Sequence, residues 1–189
     1  MGSYSYLGFP APFAVGYIEC SFNDTAVNNN SRQGISFRKF ANDDVTQPRL
    51  VYFLGCDSAM SFAYYSYEVF SASALWTKVV TSKARSIGWH RFRISIDGSN
   101  VFFSIDGTQV GAVAEPVEGP EGCNRFYIGH NYNVNQTGWY DDFLAVFPSP
   151  PPATMGAPTA IGHDRVTWNY VRGNKNWEQG FYIRDTGGA

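Results

Sequence analysis

Short apolar runs, some alternating with polar residues and some unbroken, recur through the first 147 positions of the chain. Each has the length of a β-strand, is bounded by Gly, Asn, Asp or Pro, and lacks a sustained 3.6-residue period. About ten short strands joined by turns are typical of an all-β fold, either a two-sheet sandwich or a barrel. The predicted strands cover residues 13–20, 34–40, 49–54, 61–70, 74–80, 89–96, 101–105, 109–113, 125–128 and 139–147.

Two near-copies of one heptapeptide mark a pair of turns. SIDGSNV begins at Ser95 and SIDGTQV at Ser104, and in both an Asp-Gly pair stands between strand-like residues. Asp-Gly is favoured in hairpin turns that need positive φ at successive residues, so three consecutive antiparallel strands are expected. Alternation in the predicted strand before the first turn gives it a solvent-exposed face and a buried face. The exposed face has His90, Arg91, Arg93 and Ser95, and the buried face has Trp89, Phe92, Ile94 and Ile96.

A proline run, PSPPP at 148–152, interrupts the strand pattern. Proline fixes φ and has no amide donor, so we expect a sandwich over residues 1–147 and a stiff linker over residues 148–158. Residues 159–189 hold two further strand-like segments, from Arg165 and Gly180, which predict a β-hairpin-like extension. An isolated hairpin is marginally stable in water, so its aromatic residues should pack against another surface. These assembly candidates are Trp168, Tyr170, Trp177, Phe181 and Tyr182.

Composition narrows the class of protein further. The 189 residues carry a formal charge of -2, and 44% are hydrophobic, 17% aromatic and 16% charged, which excludes a disordered or coiled-coil chain. With 14 basic and 16 acidic residues there is no cationic face for phosphates, so nucleic acid is not an expected partner. No run approaches the roughly 20 apolar residues that span a bilayer, so membrane insertion is not expected.

The three cysteines, Cys20, Cys56 and Cys123, are too far apart for a zinc motif. One disulfide with one remaining thiol would fit an oxidising compartment, and three pairings can be drawn. Equally, free cysteine is among the most buried residue types, so all three can serve as small core residues. The sequence does not choose between these alternatives.

The order GWHRFRISIDGSNVFFSIDGTQVGAV, FYIGHNY and GWYDDFLAVF resembles the second half of a laminin-G-like domain of the concanavalin-A-like class. The matching pairs are Trp89-His90, Asp97-Gly98, Asp106-Gly107, Ile128-Gly129 and Asp141-Asp142. The resemblance covers residues 88–147 by motif and 13–80 by strand pattern, and implies a jelly roll of two curved antiparallel sheets over residues 13–147. The tail is similar to the opening of a fibronectin type III domain, through Ala157-Pro158, Trp168 and Tyr182.

Residues 130–142 hold the candidate ligand-binding chemistry. Aromatic rings interleaved with amides suit sugar rings and hydroxyls, which predicts a glycan platform, although the same tyrosines could serve the core and a hairpin. The glycan-binding candidates are Tyr132, Asn133, Asn135, Trp139 and Tyr140. Calcium would use Asn131, Asp141 and Asp142, but amides are poor ligands for a hard dication, so no cofactor is expected. Adjacent aspartates in a strand point to opposite faces, so one should point inward.

Catalytic motifs are absent from the sequence. The acidic cluster Glu115, Glu118 and Glu121 lies among prolines and glycines, which predicts a loop rather than the rigid support that a glycosidase needs. We therefore expect no enzymatic activity. Glycosylation tripeptides begin at Asn23, Asn29 and Asn135, and they matter only where the source glycosylates such sites.

These observations favour a non-catalytic extracellular or cell-surface module of a surface or fibre-forming protein. On this hypothesis the C-terminal extension packs on another copy of the chain or on an adjacent domain, through backbone pairing at a sheet edge. The alternative is a lectin-like module that binds glycans. A polysaccharide-degrading jelly roll is the third hypothesis.

Overall fold

A computed structural model describes residues 4–25, 32–40, 48–119, 122–129, 139–146, 155–161 and 166–170. Within these residues nearly all regular structure is β, which confirms the predicted class. No described helix is long and apolar enough to cross a membrane. The strands are β1 (Tyr4–Phe13), β2 (Val15–Asp24), β3 (Arg32–Phe40), β4 (Pro48–Asp57), β5 (Tyr64–Ser71), β6 (Leu75–Ala84), β7 (Gly88–Asp97), β8 (Asn100–Ile105), β9 (Thr108–Ala114), β10 (Cys123–Gly129), β11 (Trp139–Val146), β12 (Met155–Ile161) and β13 (Val166–Tyr170).

Eleven of these strands form two antiparallel sheets. The six-stranded sheet has the order β1-β10-β3-β4-β5-β6, and the five-stranded sheet has the order β11-β2-β7-β8-β9. The chain changes sheet repeatedly, most notably between β6 and β7, so neighbours within a sheet are often distant in sequence. The predicted two-sheet sandwich is confirmed.

Aromatic side chains fill the space between the sheets. Tyr67 from the six-stranded sheet stacks on Phe103 from the five-stranded sheet, with ring centroids 4.5 Å apart. Tyr65 meets Phe92 edge to face at 5.3 Å. Gly111 leaves room for the first stack, because a Cβ built there would lie 2.2 Å from a ring carbon of Tyr67. Close packing of this kind tolerates little change in volume.

A buried ion pair ties the two sheets together at one end. Arg85, in the segment between β6 and β7, donates from Nε to Asp24 Oδ2 at 2.9 Å and from Nη2 to Oδ1 at 2.8 Å. The Tyr65 hydroxyl and the Cys56 thiol also donate to Asp24 Oδ2, at 3.2 and 3.7 Å. Burial alone would lower the pKa of Arg85, but the hydrogen bonds to Asp24 raise it, so the guanidinium stays charged.

Cys20, Cys56 and Cys123 are all buried and all free, which decides between the two alternatives left by the sequence. Burial raises the pKa of Cys20 to about 12, so this thiol is protonated at neutral pH. The cysteines therefore act as small core residues in this structure.

The two Asp-Gly turns differ from one another. Asp106 and Gly107 both have positive φ, of 53° and 77°, as a two-residue hairpin turn requires. At the first turn only Gly98 is positive, at 90°, because β7 continues through Asp97. The Asp97 carboxylate instead accepts hydrogen bonds from the amides of Ser99 and Asn100.

The predicted positions of Trp89 and His90 are reversed in the structure. His90 is only 9% exposed and faces the core with Phe92, Ile94 and Ile96, whereas Trp89 is 54% exposed on the outer face. Strict alternation counted back from Phe92 requires this arrangement. The prediction was wrong because it gave the larger hydrophobic residue to the core against the strand period.

The chain divides into two units, the second of which contains β12 and β13. These two strands pair antiparallel, with Pro158 opposite Trp168 at a register irregularity. β12 thus begins inside the segment predicted to be a stiff linker and pairs with the strand predicted from Arg165. The predicted strand from Gly180 lies outside the described residues.

Replacing Asp24 with Asn should destabilise the fold strongly, because it leaves the Arg85 guanidinium buried without a counter-charge. We expect the free energy of unfolding to fall by about 3–5 kcal/mol, measured by urea denaturation. Asp142→Asn, which removes an exposed carboxylate, is the matched control and should leave the midpoint unchanged. Equal midpoints for the two variants would contradict the role given to the buried pair.

Candidate functional site

The outer face of the five-stranded sheet carries a row of two exposed indoles. Trp139 on β11 lies opposite Asn23 on β2, and Asn23 lies opposite Trp89 on β7. Their side chains share one face, and the two tryptophans are 58% and 54% exposed. Neighbouring strands are about 4.8 Å apart, so the indoles stand on backbones about 10 Å from each other. We call Trp139, Asn23 and Trp89 the aromatic row.

A charged depression lies beside this row on the same face. It encloses about 350 Å³ and is lined by Glu19, Arg91, Arg93, Ser104, Asp106 and Gly107. These residues come from β2, β7, β8 and the turn between β8 and β9, which the antiparallel register brings together. We call this depression the arginine pocket.

Glu19 lies at the base of the arginine pocket and holds both arginines. Its Oε1 accepts from Arg91 Nε and its Oε2 from Arg93 Nε, each at 2.5 Å. Burial tends to raise the pKa of Glu19, but the hydrogen bonds from Arg93 and Arg91 hold it below its ordinary value. The Arg93 guanidinium also lies 4.3 Å from the ring centre of Tyr17. Both arginines are therefore oriented before any ligand arrives.

Asp106 closes one side of the pocket through the left-handed turn. Its Oδ1 accepts a hydrogen bond from the Arg91 amide at 2.9 Å, and its Oδ2 lies 2.9 Å from His90 Nδ1. Lys83 Nζ is 3.4 Å from the same Oδ2. Burial raises the pKa of Asp106, but the hydrogen bonds from His90 and the Arg91 amide lower it below its ordinary value.

Ser86, His90 and Asp106 form a Ser-His-Asp alignment beside the pocket. Ser86 Oγ lies 3.1 Å from His90 Nε2, a distance found between a nucleophile and its base. However, the Ser86 carbonyl oxygen lies closer to the same nitrogen, at 2.8 Å, and a carbonyl can only accept. Nε2 therefore contacts both the hydroxyl and the carbonyl oxygen of Ser86, and the tautomer of His90 decides which of them is its hydrogen-bond partner.

The predicted glycan-binding residues separate in the structure. Trp139 lies on the outer face, but the Tyr140 ring faces the core, 5.3 Å from Phe22, and its hydroxyl donates to Gln33 Oε1 at 2.7 Å. Tyr132, Asn133 and Asn135 lie outside the described residues, as does Asn29. Sequence reasoning missed Trp89, Glu19, Arg91 and Arg93 as site residues. Alternation counted from Phe92 and Ile18 would have placed all four on one face.

Asp141 and Asp142 are both exposed, so the prediction that one points inward was wrong. A β-bulge between Asp141 and Leu144 breaks the alternation, and Asp142 adopts a φ of 52°. Asp142 Oδ2 lies 3.4 Å from the donor atoms Ser21 Oγ and Arg91 Nη1. Among the described residues no group of His, Cys, Asp or Glu could hold a metal ion, and Asn131 lies outside them.

One residue of the acidic cluster after β9, Glu118, has a structural role. The Glu118 carboxylate is buried and accepts from the amide and hydroxyl of Ser73, both at 3.0 Å. Burial raises the pKa of Glu115, and Glu121 lies outside the described residues. Glu118 thus anchors the β5–β6 turn.

A second charged cluster lies on the outer face of the six-stranded sheet. Lys78 Nζ is 2.9 Å from Glu68 Oε2 and 3.6 Å from Asp57 Oδ2, and Arg32 Nε is 3.0 Å from Asp57 Oδ1. Both carboxylates are buried. Burial raises the pKa of Glu68 to about 7, an effect that the hydrogen bond from Lys78 only partly offsets.

Comparison with known proteins identifies the fold. No family model and no curated protein matches the sequence. The structure is similar to a tetrameric galectin from the ball sponge Cinachyrella sp., with a TM-score of 0.56 and 12% identity over 77% of this chain and 100% of that one. A carbohydrate-binding module from Bacillus subtilis is similar with a TM-score of 0.52 and 11% identity, over 77% of this chain and 83% of that one. The laminarinase catalytic domain from Thermotoga maritima is similar with a TM-score of 0.50 and 12% identity, over 67% of this chain and 56% of that one.

The fold is a jelly-roll sandwich. At 11–12% identity these similarities establish the fold alone. The concanavalin-A-like part of the predicted resemblance is thereby confirmed. The laminin-G-like and fibronectin type III assignments stay predictions.

Glu68 should make the stability of the jelly roll depend on pH. Between its ordinary value of 4.5 and its folded value of about 7, the unfolded chain has released this proton while the folded chain retains it. The free energy of unfolding should therefore fall by roughly 2–3 kcal/mol more in the parent than in Glu68→Gln as pH rises from 4.5 to 7. Urea titrations at a series of pH values measure the difference.

Asp97→Asn is the control for this titration. Hydrogen bonds from the amides of Asn100 and Ser99 lower the pKa of Asp97, so its contribution is lost only in more acidic solution. Parallel stability curves for the parent and Glu68→Gln across this range would contradict the assignment.

Proposed function

We propose that this protein is a non-catalytic carbohydrate-binding module that uses the outer face of its five-stranded sheet. The observation that carries this proposal is the placement of two exposed indoles around an amide, with the arginine pocket on the same face. Similarity to galectins and to a carbohydrate-binding module supports the fold that such a site requires.

The aromatic row suits the two chemical faces of a sugar. The apolar face of a pyranose ring packs on an indole, and its hydroxyls need hydrogen-bond partners at the ring edge. Asn23 supplies an amide between the two indoles, and Ser21 and Arg91 stand in the next cross-strand pair. Both tryptophans lie on strands paired on at least one side, so the platform is rigid before binding.

The absence of catalysis is part of the proposal and is supported by the described acidic and nucleophilic residues. Glu118 is held by Ser73, and the Ser86 hydroxyl shares His90 Nε2 with the Ser86 carbonyl oxygen, which lies closer to that nitrogen. An extracellular or cell-surface location follows from the proposed ligand, because complex glycans are presented there.

A second candidate function is assembly through the C-terminal unit. Among the described residues, β12 and β13 form a two-stranded sheet, and such a sheet gains stability by joining another surface. β11 is an edge strand with exposed Phe143, Leu144 and Val146, which favours pairing with a further chain. The similar sponge galectin is a tetramer. Of the assembly candidates, Trp168 and Tyr170 lie in β13, whereas Trp177, Phe181 and Tyr182 lie outside the described residues.

Trp89→Ala and Trp139→Ala should each weaken glycan binding by about tenfold or more, because exposed tryptophans at binding sites contribute about 2 kcal/mol or more. A glycan array identifies a ligand, and calorimetry then measures the loss of affinity. Trp76→Ala, which removes an exposed indole from the six-stranded sheet, is the matched control and should bind normally. Unchanged affinity in both Trp89→Ala and Trp139→Ala would exclude this face as the glycan-binding surface.

The assembly function predicts that association depends on the C-terminal unit. In sedimentation velocity the full chain should form larger species as concentration rises, and Trp168→Ala with Tyr170→Ala should shift the distribution to monomer. A parent chain that stays monomeric at all concentrations would refute this function and leave glycan binding untouched.

A further inference from the structure

We propose that the arginine pocket selects an acidic sugar, whose carboxylate or sulfate ester binds the guanidinium of Arg93. This inference rests on the proposed glycan-binding function and names the ligand class of the same face. It follows from which hydrogen-bond donors and acceptors of the pocket are not engaged by other described residues.

The acceptors of the pocket are already occupied. Both oxygens of Glu19 accept from arginine Nε atoms, and Glu19 is only 5% exposed beneath them. Both oxygens of Asp106 are engaged as well, Oδ1 by the Arg91 amide and Oδ2 by His90 and Lys83. A neutral sugar hydroxyl, which must also donate, therefore finds few free acceptors there.

Two donor groups of the pocket have no acceptor among the described residues. Arg93 uses its Nε for Glu19 and its flat face for Tyr17, and no described residue accepts from either of its Nη atoms. The Ser104 hydroxyl lines the same pocket without a described hydrogen-bond partner. A guanidinium anchored at Nε presents its Nη atoms in a fixed geometry that suits the paired oxygens of a carboxylate or sulfate.

The available Nη donors, rather than the net charge, favour an anion at Arg93 over Arg91. The cluster has three cations and three carboxylates: Arg91, Arg93 and Lys83 against Glu19, Asp106 and Asp142. Asp142 is the competing carboxylate, but it lies 3.4 Å from Arg91 Nη1 and is 64% exposed. It therefore engages Arg91 Nη1, whereas no described residue accepts from the Nη atoms of Arg93.

The ligand must also be longer than one sugar if it uses the whole face. Trp89 and Arg93 are four residues apart on β7, which corresponds to about 13 Å along the strand. A single ring in the pocket does not reach the aromatic row at this distance. An acidic oligosaccharide places its anionic group at Arg93 and neutral ring faces on the indoles.

Affinity electrophoresis of the full chain with matched polysaccharides tests this inference. The probes are pectate against carboxyl-reduced pectate, and dextran sulfate against neutral dextran, so that carboxylate and sulfate are separated. We expect at least one anionic probe to retard the parent about tenfold more strongly than its neutral partner. Arg93→Gln should lose that preference, and Arg93→Lys, which keeps the charge without the planar donors, should lose most of it.

The outcomes separate this inference from the function on which it rests. Equal retardation by charged and neutral partners, lost in Trp89→Ala, would overturn the acidic ligand and retain glycan binding. An anion preference that Arg93→Gln leaves unchanged, or that Arg93→Lys fully preserves, would also overturn it, because diffuse charge would then account for the binding. If no glycan on an array and no probe binds, the proposed function fails and this inference with it.

Discussion

The buried pair of Asp24 and Arg85 is the constraint from which the candidate site follows. Arg85 lies where the chain leaves the six-stranded sheet, and Asp24 ends β2, next to the start of β7 in the register. A buried charge is tolerated only with its counter-charge and hydrogen bonds in place, so β7 is fixed against β2 at this end. That register sets Trp89 opposite Asn23 and Arg93 opposite Glu19, with Arg91 two residues along β7 and within reach of the same carboxylate.

β7 therefore contributes residues to the core and to the candidate site at alternate positions. Phe92 packs inward between the sheets while Arg91 and Arg93 point outward to Glu19. Because the strand period is two, a shift of one residue would bury the arginines and expose the phenylalanine. The energy of core packing thus enforces the geometry of the outer face, and the site needs no separate folding signal.

Strand positions were predictable from sequence because apolar runs and turn residues recur with a clear period. β1 was missed because Gly8, Pro10 and Pro12 interrupt it, and its pairing with β10 shifts register after Gly8. Trp89 was misplaced because its size suggested the core, and Asp142 because a bulge is invisible in the pattern. The pairing of Glu19 with two arginines joins residues more than 70 positions apart, which no local pattern reveals.

The position of Asn23 makes one prediction from the sequence incompatible with the proposed binding site. Asn23 begins a glycosylation tripeptide, and the structure places it between the indoles of Trp89 and Trp139 in a strand paired on both sides. A glycan attached there would cover the aromatic row that the proposed ligand needs. If the aromatic row binds sugar, Asn23 must therefore remain unmodified, and the amide acts as a hydrogen-bonding group of the site rather than as an attachment point.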